Sequence, residues 1–252
     1  MATSNKSQPA DRDGLDMKAL LDAVTQQEMV TVKIGPQQKQ YRIHKGLITY
    51  HSEYFGSAYS GQWKEADEKD VVLEDIEPAI FDVFVQWLYT QDMPSVEEIE
   101  RILKVYPEDE EDGDPVITVL TKSLVFGDRF LSPAFRRGAS RGIIEVLSAD
   151  EPGTFTIFTA VKFSFENLPE EHIINELFID LYCSHLVRTS ASEESLYAHL
   201  LRRDMPYKFL VKVIARYSTG KTSSLRVWEN RLSEHCKYYK NYDNCKRNTV
   251  KK

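Results

Sequence analysis

Val30-Thr31-Val32-Lys33-Ile34-Gly35-Pro36 is the stretch whose reading decides the fold. Its apolar residues alternate with threonine and lysine, the period-two pattern of a strand with one face turned to a core. Gly35-Pro36 punctuates it. Just beyond, Tyr41 and Ile43 alternate with Arg42 and His44, so a second strand follows and the pair reads as a hairpin with a polar loop.

Working outward, residues 1–12 are small and polar and are expected to be disordered. Leu15, Ala19, Leu20 and Val24 recur near helical spacing, which predicts a helix over 15–26. On the other side, Leu47 with Ile48, and Tyr54 with Phe55, suggest two short helices, with Ser52 as an N-cap. Val71-Val72-Leu73 reads as a short buried strand. Pro78 sits where a first helical turn tolerates proline, and Phe81, Phe84, Val85 and Leu88 mark one face of that helix.

Residues 107–115 form an acidic run bracketed by prolines, in which six carboxylates repel one another; an exposed loop is expected. It lacks the alternating ligand spacing of a calcium loop. From 115 onward the spacing is helical. Val116, Val119, Leu120 and Leu124 form one face, and Ile143, Ile144 and Leu147 suggest another. Three further stripes are Phe155, Phe158 and Val161; Ile173, Ile174, Leu177, Phe178 and Leu181; and Phe209, Leu210, Val213, Ile214 and Tyr217. Ser190 with Glu193 resembles a capping box for a helix through Leu196, Leu200 and Leu201. No internal repeat is found.

Composition excludes several classes. The 252 residues allow one large domain or two small ones, and a 42% hydrophobic fraction supplies an ordinary core. No run approaches the roughly 20 apolar residues of a membrane helix, and the polar start, Met1 to Gly14, has no apolar stretch of a secretory signal. Three cysteines, Cys183, Cys236 and Cys245, all late in the chain, suit a reducing compartment. The net charge of −7 argues against a dominant nucleic-acid surface. The basic end (Lys237, Lys240, Lys246, Arg247, Lys251, Lys252) reads as a solvated tail. Neither nucleic acid nor membrane is expected as a partner.

Two sharper chemistries have candidate residues. Ala215, Gly220, Lys221 and Thr222 match a relaxed phosphate-loop pattern with alanine for the first glycine. Such a loop follows a buried strand, whereas the preceding residues carry a helical stripe; Gly220 therefore reads as a helix C-cap, and Asp180 upstream as an acidic partner only in a permuted order. His235, Cys236 and Cys245, with Cys183 or His185, offer zinc ligands but lack paired Cys-x-x-Cys spacing. No nucleophile elbow, His-Glu-x-x-His helix or dinucleotide glycine motif is present, so no catalytic residue, cofactor or metal is expected.

The residues between 28 and 94 resemble one family. The opening strands with His44 and Lys45, then Leu47, Ser52, Tyr54 and Phe55, then Val71 through Pro78, Phe81, and Trp87-Leu88-Tyr89-Thr90, are similar in order, spacing and type to a BTB/POZ domain. More loosely, Leu124 to Phe130, Met205 to Leu210 and the terminal Cys236 and Cys245 resemble fungal BTB proteins with a helical extension.

The resemblance implies an α+β fold, a small sheet flanked by a helical cluster, followed by a mostly α-helical C-terminal region. The expected organisation is a disordered 1–12, a BTB/POZ-like domain over 13–148 (core 28–94, loop 107–115), and a helical 149–252 with its basic tail. The resemblance also implies an intracellular, non-enzymatic module for protein partners. Some family members bind a cullin-type scaffold of ubiquitin ligases through an apolar-x-Glu motif, and Trp63-Lys64-Glu65 stands at that position. Others form dimers through the first helix and strand. Trp63, Glu65, Tyr54 and Phe55 are the expected partner-binding residues. One departure is Met29, where many members place an aspartate lining a charged pocket.

Overall fold

The computed structural model describes residues 21, 25, 28–60, 70–106, 114–149, 157–189, 205–220, 223, 227 and 228. Strands β1 (Met29–Ile34) and β2 (Lys39–His44) pair antiparallel, with Val30 opposite Ile43 and Val32 opposite Tyr41. Strand β3 (Asp70–Leu73) pairs parallel to β1, giving the order β2-β1-β3. The inward residues Val30, Val32, Ile34, Ile43, Val71 and Leu73 are all buried. Val72 is 46% exposed, so β3 alternates and is not buried throughout as its three apolar residues suggested.

Helices α1 (Lys45–His51) and α2 (Glu53–Ala58) follow the hairpin. Helix α3 (Pro78–Thr90) begins with its proline in the first turn and buries Phe81, Phe84 and Leu88 as the spacing predicts, with Val85 half-buried. Helix α4 (Val96–Val105) was not read from the sequence, although Ser95 and Glu98 form a reciprocal capping box at its start.

Helix α5 (Pro115–Arg129) is the centre of the molecule. Its sequence suggested one apolar face. In the structure Thr118, Thr121, Lys122 and Ser123 are buried as well, because other helices pack around it. Asp114, the last carboxylate of the acidic run, is its N-cap and accepts from the backbone N–H groups of Val116 and Ile117 at 2.8 and 3.1 Å. Residues 107–113 lie outside the described residues.

Helix α6 (Pro133–Ala149) returns antiparallel against α5. At the tightest point a Cβ on Gly127 would stand 2.8 Å from the backbone nitrogen of Arg136, so only glycine admits this approach. Helices α7 (Phe158–Asn167), α8 (Ile173–Thr189) and α9 (Tyr207–Thr219) complete the helical half, and α7 packs directly on α5. One continuous core runs from Val30 through Trp228. Seven aromatic rings, of Phe55, Phe81, Phe84, Trp87, Phe126, Phe130 and Phe135, pack together between α2, α3, α5 and α6. No described helix is long and apolar enough to cross a membrane.

Candidate functional site

Helix α2 is short, and what holds it is Ser52. Its backbone is extended (φ −140°, ψ 119°), and its hydroxyl accepts from the N–H of Phe55 at 3.2 Å, as the N-cap expectation requires. The same hydroxyl donates to the carbonyl of Phe130 at 2.6 Å, and the N–H of Glu53 donates to the carbonyl of Leu131 at 3.3 Å. The first turn of α2 is thereby tied to the α5–α6 turn.

Two successive residues of α2 then part ways. Phe55 is fully buried, stacked on Phe130 at 5.8 Å and Phe84 at 6.4 Å. It is a core residue, and this corrects its expected place among the partner-contacting side chains: a successor on a helix turns about 100° away from its neighbour. Tyr54 is 37% exposed, its ring edge set against Phe130 at 4.9 Å. It presents an aromatic face on a rigid base. Trp63 and Glu65 lie outside the described residues, in the stretch between α2 and β3.

Beside Tyr54 the α5–α6 turn exposes Leu131, 52% accessible, with left-handed backbone at φ 51°. Two ion pairs stand near it along the chain and in space: Arg129 with Asp75, and Arg136 with Asp128 at 2.5 Å. The hydrogen bond from Arg129 holds the Asp75 carboxyl below the usual carboxylate range against a smaller effect of burial. Sequence reasoning missed Leu131. Its signal, a lone apolar residue between Phe130 and Ser132-Pro133, does not differ from a core position.

The other polar clusters are internal struts. Asp82 accepts from the hydroxyls of Tyr41 at 2.6 Å and Tyr106 at 2.5 Å, with Lys39 3.2 Å away, which ties β2, α3 and the end of α4 together. Burial, then these hydrogen bonds, push the Tyr41 phenol far above its ordinary range, so it stays protonated. His44 bonds through Nδ1 to the hydroxyl of Tyr89 at 2.9 Å.

In the helical half, Asp180 is fully buried. It pairs with Arg216 and accepts from the backbone N–H of Ser223 and the indole Nε1 of Trp228, both at 3.1 Å. Helix α9 leads into Gly220 at φ 62°, a left-handed C-cap. A helix therefore stands where a phosphate loop demands a strand, and Asp180 is engaged by Arg216; the phosphate-loop reading at Gly220-Lys221-Thr222 fails on this geometry. Lys221 and Thr222 themselves lie outside the described residues. Burial, the larger effect over the nearby Asp180 charge, pushes the Cys183 thiol up to about 12, and its sulfur contacts the carbonyl of Val213 at 3.6 Å. The remaining ligands of the zinc reading, His235, Cys236, Cys245 and the His185 side chain, lie outside the described residues.

A short three-strand sheet opening into helices is consistent with a BTB-like α+β fold, and residues 20–108 match the BTB/POZ domain model. This segment is a BTB/POZ domain. The chain is 32% identical over 79 residues to Kelch-like protein 41 of Homo sapiens, covering 31% of the chain and 12% of that protein. It is 25% identical over 79 residues to Kelch-like protein 40b of Danio rerio, covering 31% and 13%. It is 29% identical over 91 residues to BTB/POZ and MATH domain-containing protein 3 of Arabidopsis thaliana, covering 36% and 22%. The chain thus spans 12–22% of the length of these relatives. They are animal and plant proteins, and the fungal resemblance of the later half gains no support from them. The BTB/POZ domain is a protein–protein interaction module.

Proposed function

We propose that this chain is a non-enzymatic, intracellular adaptor whose BTB/POZ domain grips a cullin-type scaffold through the face carrying Tyr54, Trp63 and Glu65, while its helical half holds a client. The observation that carries the reading is the placement of Tyr54: exposed, aromatic, and fixed from beneath by Ser52, Phe55 and Phe130. Rigid aromatic anchors dominate the binding energy of small interfaces. The Trp63-x-Glu65 pattern begins within a few residues of the end of α2.

A binding assay with purified cullin tests it. Tyr54→Ala, and separately Trp63→Ala with Glu65→Ala, should each weaken the complex by about tenfold or more. Equal retention of the cullin by wild type and both variants would show that this face is not the grip.

The alternative is a homodimer or heterodimer partner without a ligase role, built on the helix expected at 15–26 and on β1. Leu21, one of the two described residues of that segment, is helical and 57% exposed, which leaves it open to a partner without requiring one. Light scattering across a wide concentration range decides this: a strict monomer excludes it.

A further inference from the structure

We draw no further inference here: the strongest candidate, the exposed apolar face of α9 formed by Tyr207, Val211 and Ile214, is a helix face that nothing in the structure shows the cover of.

Discussion

The hydroxyl of Ser52 donates to the backbone carbonyl of Phe130, 78 residues away, at 2.6 Å, while accepting from the N–H of Phe55. One buried oxygen thus caps α2 and fastens it to the α5–α6 turn, joining the segment that matches the BTB/POZ domain to the helices that follow it in the same core. The face proposed for partner binding stands on this junction.

Ser52→Ala is expected to cost about 2 kcal/mol, because it removes an N-cap and leaves a buried carbonyl and a buried N–H unpaired at once. Urea denaturation measures this. A loss under about 0.5 kcal/mol, the range of an ordinary surface substitution, would mean that the junction is held by ring packing alone.

Gly127→Ala and Gly220→Ala separate two uses of glycine. At Gly127 the new methyl meets the backbone nitrogen and Cα of Arg136 at 2.8 and 3.0 Å, so α5 and α6 must part, at about 2 kcal/mol. At Gly220 nothing lies within 4 Å, and only the left-handed backbone opposes a side chain, at about 1 kcal/mol. Thermal melts of the two should rank in that order.

Asp180→Ala removes the acceptor of Arg216, Ser223 and Trp228 from a fully buried site. Breaking one side of such a pair is expected to cost roughly 3 kcal/mol or more. Exposure of the Trp228 indole should also red-shift the tryptophan emission of the native state. An unshifted spectrum with wild-type stability would contradict the assigned network.

Acid should loosen the contact between α8 and α9. Burial alone would raise the Glu176 carboxyl, but hydrogen bonds from Lys212 at 2.8 Å and Arg216 at 2.5 Å outweigh it and hold the group below its ordinary value. A carboxyl lowered in the folded state adds stability that is present above its unfolded value, near 4.5. That stability is lost as pH falls from there through the lowered folded value. Glu176→Gln should therefore be less stable than wild type at pH 7, with the gap closing as pH drops below about 4. A gap independent of pH would assign the loss to packing instead of charge.

Much of this was legible along the chain. Proline at 78, the alternation from Val30 to Ile34, the cap at Ser52 and the helix carrying Phe209 and Val213 each act within a few residues, so local spacing carries them, although Ile214 of the expected stripe is exposed. The capping box at Ser95 and Glu98 was equally local and could have been found. Other features were out of reach. Helix α5 carries threonine, lysine and serine inside the core because α3, α6 and α7 pack around it, and Lys122 is tolerated there by Glu77 at 2.9 Å.

By itself, the sequence determined the order of the described strands and helices apart from α4, the expectation of a BTB/POZ domain and the cap at Ser52, since backbone sterics and side-chain periodicity act at short range. The tertiary structure alone decided that Tyr54 is exposed while Phe55 is spent on the core, and that Leu131 comes to stand in the turn tied to their helix. Which side of a short helix faces outward depends on rings supplied from Phe84 and Phe130, residues that only folding brings near.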